Sequence, residues 1–584
     1  MKSLEVVDEA PRGSPRGATL AAVVLALTPC CEGSTSRADT GSEVAWVSAA
    51  AGPGPSLPRP GEAVVTLRCD AAPRAISPWI YGIGVQPQRD TASQWALGAT
   101  VRRWGGNHTT RYNWQLGNAW NTGKDWYFKN VDYDASPRPA HQRFIDDGAA
   151  HGLATFMTVP IIGWVAKDTI SYGFPVSVFG AQQRAEPGVS DVGSGVSPAG
   201  RLLAPGPPER TSVPMPPEVV GQWVRSNRAR DLPGKRGVVA YFLDNEPTLW
   251  SETHRDVHPA PVSYDELLAR TLAYASAIRA ADPGALIAGP ALWGWTALFG
   301  SGVDKAAHPA HPDRDAHGGV PLLPWWLGEV AAEEARTGVR LLDLVDVHFY
   351  PQGPGIGVGL LGGTDPDTAA RRIRSTRALW DPTYEDESWI DDEVRLLPRL
   401  TQWIAERRPG LGISIGEYNF GAEAHMSGGL AVAEALGRFG ALGVTSAFYW
   451  DHPPPGSPAA RAFDAYRNYD GAGGHFLDLS VPASSSRPLV SAFASRDASR
   501  EHMVVVLLGL DPRAAHEARL DASTCGRLVA RKTYAFAGEG AGFRPTQPTP
   551  GSSAGAEIGV FVPPYSMTVL ELSFATALPE GATP

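Results

Sequence analysis

From residue 80 to about residue 451 the chain repeats one pattern, a short apolar run followed by a stretch with apolar residues at helical spacing. The runs are IYGIGV (80–85), ATVRRWGG (99–106), ATFMTVPIIGW (154–164), VVAYFLDNEP (238–247), LIAGPALWG (286–294), LLDLVDVHFYP (341–351), GISIGEYN (412–419) and TSAFYWD (445–451). They lie too far apart for hairpins. Intervening segments such as 264–282 keep a helical apolar period until Pro283-Gly284 stops them. Eight buried strands alternating with helices predict an α/β fold, a (β/α)8 TIM barrel. Beyond about residue 470 the helical spacing ends, and runs at 475–481, 488–497, 501–511, 527–537 and 558–574 read as strands between turn-rich segments. EAVVTLRCDAA (62–72) has the same character ahead of the barrel. The expectation is a barrel over 76–470 and a smaller all-β sandwich made from both chain ends, 61–75 and 471–584. A Pro- and Gly-rich stretch without clear periodicity, 183–235, interrupts the third barrel unit and is expected as a long loop on the active face.

Within nearly every run the apolar part comes first and the polar or aromatic residues last: Trp104 to Asn107, Trp164, Asn245-Glu246, Trp293, His348 to Tyr350, Glu417 to Asn419 and Trp450-Asp451. Barrel sites assemble at the C-terminal ends of strands. Glu246 and Glu417 end the fourth and seventh runs, which face each other across such a barrel. Glycosidic cleavage with retention needs one neutral and one ionised carboxyl about 5–5.5 Å apart. Burial and a neighbouring charge favour a proton on Glu246, the general acid/base, with Glu417 as nucleophile. Asn245 offers an amide to a sugar 2-hydroxyl. A lone strand-end glutamate is more often an ion-pair partner; two at matching strand ends, each beside polar or aromatic companions, favour chemistry.

Composition narrows the partners. Lys and Arg number 51 against 61 Asp and Glu, a net charge of −10 with no basic stripe, which excludes nucleic acid. The 18 Trp, many beside Gly and Asn, suit stacking on sugar rings. No G-x-S-x-G elbow or phosphate loop is present, and His254 and His258 lack the following Glu that a zinc peptidase needs. The apolar run 18–29, preceded by Arg12 and Arg16, reads as a signal sequence (1–31), too short to span a bilayer in the mature chain. Cys30 and Cys31 follow it as in a lipoprotein leader, so secretion and lipid anchoring at the cell surface both stay open. Residues 32–60 read as a flexible tether. Cys69 and Cys525 either pair or stay as buried thiols. The mature chain is expected to be a secreted monomer.

The stretches RWGGNHTTRYNW (103–114), FMTVPIIGWVAKD (156–168), YFLDNEPTLWSETH (241–254), VDVHFYPQ (345–352), RSTRALWDPTYEDESW (374–389), GEYNFGAEAH (416–425) and FYWDHPPPGSPAARAFDAYRNYDG (448–471) closely resemble glycoside hydrolase family 44. The resemblance spans roughly residues 62–575. It implies an endo-β-1,4-glucanase or xyloglucanase acting on a β-glucan polysaccharide, a barrel with a β-sandwich, and retention with Glu246 as acid/base and Glu417 as nucleophile. It implies no required cofactor, although some members bind a structural calcium; no ligand spacing here identifies a metal site. Gly416 stands where Thr is expected, His108 where Ser is commoner, and the 183–235 loop diverges, which leaves substrate preference open. A xylan or mannan hydrolase and a non-catalytic surface glycan-binding protein are the alternatives. Arg103 and Tyr350 are expected to bond Glu417. His348 shares the face of Tyr350 and belongs either to the site or to the core. Trp450 is expected to floor the sugar subsite, with Trp104, Asn107, Trp126, Trp164, Trp380 and Trp389 as further cleft candidates.

Overall fold

The computed structural model describes residues 63–86, 92–357, 362–538, 540, 542–547 and 557–575. The expected leader, the tether, Cys30 and Cys31 lie outside the described residues. The first strand, β1 (Ala63–Leu67), is not part of the barrel. The barrel strands are β2 (Gly82–Val85), β3 (Val101–Trp104), β4 (Ala154–Val159), β5 (Ala240–Leu243), β6 (Leu286–Leu292), β7 (Leu344–Phe349), β8 (Gly412–Tyr418) and β9 (Ser446–Tyr449). Each apolar run supplies one strand, and they close in the order β5-β6-β7-β8-β9-β2-β3-β4 with every pair parallel. Strands covered on both faces read as continuous apolar runs, which is why they were legible. Inside, Val101, Phe156, Ala240, Phe242, Ala288, Leu344 and Phe448 form a dry plug. The ring of Phe156 packs 6.0 Å from Phe242 and 5.4 Å from Phe448, centroid to centroid. The plug leaves the barrel mouth as the place for a site.

The outer ring comprises α1 (Ala140–Ala150), α2 (Pro217–Arg228), α3 (Tyr264–Ala281), α4 (Leu322–Thr337), α5 (Pro366–Ser375), α6 (Leu396–Arg407), α7 (Met426–Leu442) and α8 (Pro458–Arg467). The Ser263 hydroxyl caps α3 by accepting the Glu266 N–H at 3.1 Å, and the helix stops before Pro283-Gly284 as expected. Two expectations need correction. The 183–235 stretch is not one irregular loop: its end is α2, whose Val220, Trp223 and Val224 are buried, and Pro216-Pro217 mask the helix start in the sequence. Between β2 and β3 the described residues form a 3-10 turn, Ala92–Leu97, instead of an α-helix. Arg102 faces outward there, and its guanidinium lies 4.5 Å from the Trp95 ring and 4.0 Å from the Phe144 ring, aromatic partners that a charged strand residue needs.

After the barrel come β10 (Leu479–Val481), β11 (Ala483–Ser485), β12 (Val490–Arg496), β13 (His502–Gly509), β14 (His516–Asp521), β15 (Arg527–Phe536), β16 (Glu557–Val562) and β17 (Ser566–Ala575). One sheet runs β11-β1-β14-β16; the other has β10-β12-β13-β17-β15 at its centre. The chain's first strand thus lies between two made much later, parallel to β14 and antiparallel to β11. Val65, Leu67, Val505, Leu507, Leu520, Ile558, Leu570 and Leu572 fill the space between the sheets. The opposite face of β12 and β13 rests on the barrel helices, where a β-carbon on Gly437 of α7 would come within 2.4 Å of the Phe493 ring. Cys69 and Cys525 are disulfide-bonded, which resolves the open alternative and ties the end of β1 to the turn after β14. No helix among the described residues is long and apolar enough to cross a membrane.

The bond closes a loop of 456 residues, so chain-entropy arguments give it about 2–5 kcal/mol of stability. Cys69→Ser is expected to lower the free energy of unfolding by that amount in a denaturant titration. An unchanged midpoint would show that the sandwich does not depend on the bond.

Candidate active site

At the end of β8 the pairing register with β7 and β9 shifts, and the irregularity brings Glu417 into the barrel mouth. Arg103 of β3, fully buried, meets it from below. Its Nη1 donates to the Glu417 Oε1 at 2.7 Å and to the Gly416 carbonyl at 3.0 Å, and its Nη2 donates to the Asn245 Oδ1 at 3.1 Å. The tight turn after β3 needs glycine at 105, because a β-carbon there would stand 2.7 Å from the Arg103 guanidinium. Tyr350 closes the other side, its hydroxyl donating to the Glu417 Oε2 at 2.7 Å. Both nucleophile-candidate oxygens therefore hold a donor.

Glu246 follows β5 with a left-handed backbone, φ 47°. Its Oε1 lies 2.9 Å from the His348 Nδ1, which also lies 3.5 Å from the Glu417 Oε2. One oxygen of each glutamate and a His348 nitrogen all fall within 4.8 Å of one another. Burial, and then the nearby Glu417 charge, push the Glu246 carboxyl above its ordinary range against the pull of His348 and Arg103. Burial opposes charge on His348, but the Glu417 and Glu246 carboxylates outweigh it and raise the imidazole. Burial and Glu417 raise the Tyr350 hydroxyl far above its ordinary value, so it stays a donor.

The structure brings together Arg103, Asn245, Glu246, His348, Tyr350 and Glu417. Asn107 belongs with them: its amide oxygen accepts from the Asn245 Nδ2 at 3.1 Å, and its Nδ2 donates to Asp125 at 3.0 Å. Trp450 lies across Gly84 and Gly106, where β-carbons would come within 2.7 and 2.5 Å of its ring. Trp389 is 48% exposed in a loop whose neighbours Asp386 and Ile390 line a cavity with His348 and Tyr350. Trp126 donates its indole N–H to Glu186 at 2.7 Å, which Lys129 also holds at 2.9 Å, pinning the hairpin of the 183–235 stretch. Trp164 sits on a short strand paired with Ser212–Pro214 of the same stretch.

Two cleft expectations fail. Trp104 is only 3% exposed and packs into the core against Tyr112, Trp120 and Phe144. Trp380 is held on the helix ring, with the Arg438 guanidinium of α7 3.7 Å from its ring. Of the His254 and His258 pair, His258 places its Nε2 2.8 Å from the Glu266 carboxylate. Outside the Glu246, His348 and Glu417 group, no cluster of three His, Cys, Asp or Glu ligand atoms occurs among the described residues. Sequence reasoning missed Asp125, which anchors Asn107, and two fully buried carboxyls, Asp244 and Asp346. Burial raises each of these two to about 6. Asp346 lies under the site, where a β-carbon on Gly416 would come within 2.6 Å of its oxygens.

Residues 119–353 match the model of glycoside hydrolase family 44. Endoglucanase A of Paenibacillus lautus is 30% identical over 469 residues, covering 76% of this chain; the chain spans 64% of that relative's length. The structure resembles CelM2, a bifunctional glucanase-xylanase from a metagenome library, with a TM-score of 0.81 and 34% identity over 88% of this chain and 99% of that one. It also resembles a Paenibacillus polymyxa xyloglucanase from family 44 solved with xyloglucan, with a TM-score of 0.72 and 28% identity over 88% of this chain and 100% of the other.

Removing the Glu417 charge should lower the Glu246 pKa toward its ordinary value. Carboxyl 13C NMR of Glu417→Gln checks this, and an unmoved Glu246 titration would deny the coupling. Asp346 binds its proton more tightly when folded, so the cost of ionising it is absent below about pH 4 and complete above about pH 6. Asp346→Asn is therefore expected to add about 3 kcal/mol to stability at pH 8 and little at pH 4, measured by denaturant unfolding at both.

Proposed function

Because this chain belongs to glycoside hydrolase family 44, we propose that it is an endo-acting glycosidase cutting internal β-1,4-glucosidic bonds of cellulose-type glucan or xyloglucan with retention. The observation that carries this reading is the approach of Glu246 and Glu417 to within 4.8 Å about one imidazole, with two further donors on Glu417 alone. Inverting enzymes hold their carboxyls about 6.5–9.5 Å apart to admit a water between them, and retaining ones about 5–5.5 Å.

Glu417 attacks the anomeric carbon as the bond to the leaving oxygen breaks, and the Glu246 proton passes to that oxygen. A glycosyl ester then holds the sugar. Esterification removes the Glu417 charge that helped raise Glu246, so Glu246 gives up its proton more readily and stands as the ionised carboxylate that serves as base. It takes a proton from a water that attacks the same carbon from the opposite face, and the ester breaks to restore Glu417. Arg103 and Tyr350 receive the returning carboxylate in place. Asn245, oriented by Arg103 and Asn107, keeps its amide beside the sugar 2-hydroxyl. Trp450 forms the floor.

The names of the relatives favour glucan, and the glucanase-xylanase activity of CelM2 favours xylan as the second substrate reading. A polymeric substrate and the expected leader support an activity outside the cell.

Glu417→Gln is expected to lower turnover on xyloglucan and carboxymethylcellulose by about three orders of magnitude or more. NMR of the first product should show the β-anomer. An initial α-anomer, or full activity in the variant, would sink the double displacement, and faster turnover of xylan than of either glucan would move the substrate reading to xylan.

A further inference from the structure

We propose that Asp244 is a positioning residue for proton transfer: its carboxylate holds the backbone of Asn245 and Glu246 in the conformation that aims Glu246 at the leaving oxygen. The inference deepens the glycosidase reading and rests on it.

Asp244 is fully buried at the exit of β5. Its Oδ1 accepts the Thr110 hydroxyl at 2.6 Å and the Asn245 N–H at 2.8 Å, and its Oδ2 accepts the N–H groups of Ile161 at 2.6 Å and Ile162 at 3.0 Å. These donors come from three neighbouring strand exits, after β3, β4 and β5. The same exits carry Asn107, Trp164 and Glu246. One carboxylate therefore sets the relative placement of the segments that present the acid and the residues around it.

The backbone shows what the clamp works against. Asp244 and Glu246 have φ of 69° and 47°, in the left-handed region that a β-carbon disfavours. Two such residues two positions apart persist only where surrounding bonds over-determine them. The Asn245 N–H bond to Oδ1 lies between them and fixes the turn. Beyond it, the Glu246 N–H donates to the Ala291 carbonyl at 3.0 Å, and its carboxyl reaches the His348 Nδ1. Without the clamp the turn relaxes toward the ordinary regions, and the carboxyl swings away from the imidazole and from Glu417.

Only a carboxylate suits the position. All four partners donate, two to each oxygen. An amide has one acceptor oxygen, and its NH2 must face either the Ile161 and Ile162 N–H pair or the Asn245 N–H. Asp244→Asn thus keeps volume and loses the clamp.

The test separates proton transfer from general disruption by the need of the leaving group for a proton. Wild type, Asp244→Asn and Thr110→Val are assayed on cellotetraose, whose leaving sugar must be protonated, and on 2,4-dinitrophenyl β-cellobioside, whose phenolate leaves unaided. Asp244→Asn is expected to lower kcat/KM on cellotetraose by about 100-fold or more and on the dinitrophenyl substrate by less than about fivefold. Azide, a nucleophile that needs no base, should then raise kcat on the dinitrophenyl substrate. Thr110→Val, which removes one donor and leaves the carboxylate, should show the same pattern at smaller amplitude, and it carries the test if the asparagine variant fails to fold. Equal losses on both substrates, or no loss on cellotetraose, would overturn the inference while leaving the glycosidase reading intact. Absence of turnover by the wild type on both substrates would overturn that reading and the inference with it.

Discussion

The barrel mouth is organised by one buried ion pair, Arg103 with Glu417. A guanidinium without solvent needs acceptors, and here its two terminal nitrogens reach the Glu417 carboxylate, the Gly416 carbonyl and the Asn245 amide. Taking away one partner of such a pair costs about 3–5 kcal/mol, because the other charge stays buried alone. Three residues from two distant strands are thereby located by one side chain. The order continues outward from Asn245 to Asn107 and Asp125. The Phe242 ring, 4.9 Å from the guanidinium, joins this network to the apolar plug below.

The two glutamates are the same residue type in one small volume, and what distinguishes them is their supply of donors. Glu417 has Arg103 and Tyr350, whereas Glu246 has, among the described residues, only the imidazole that it shares with Glu417. In the proposed mechanism, unequal donation is what suits identical side chains to the separate roles of acid and nucleophile. Asp244 and Asp346 show the same economy one layer deeper: the first is fixed by four donors, and the second is accommodated because position 416 has no side chain.

Much of this was legible in the sequence because parallel barrel strands leave strong signals, unbroken apolar runs ending in polar residues. Those ends gave Asn245, Glu246, His348, Tyr350 and Glu417, and Arg103 was expected separately as a partner of Glu417. Tryptophans were less legible, since an indole carries no mark of which surface it meets. Trp104 was claimed by Trp120 and Phe144, and Trp380 by Arg438. Asp244 was hidden for another reason: two of its donors lie 83 and 134 residues away, so no local pattern announces them. β11 and β14 escaped notice because one has three residues and the other mixes His, Glu, Arg and Asp with its apolar positions.

The placement of β1 has a consequence for how the molecule is made. Its partner β14 is synthesised some 450 residues later, which at cellular rates of about 5–20 residues per second is roughly 20 to 90 s. Throughout that interval Ala63, Val65 and Leu67 have no sheet to enter. The barrel strands are therefore all made before β1 finds its neighbour, and the sheet that holds β1 closes only after them.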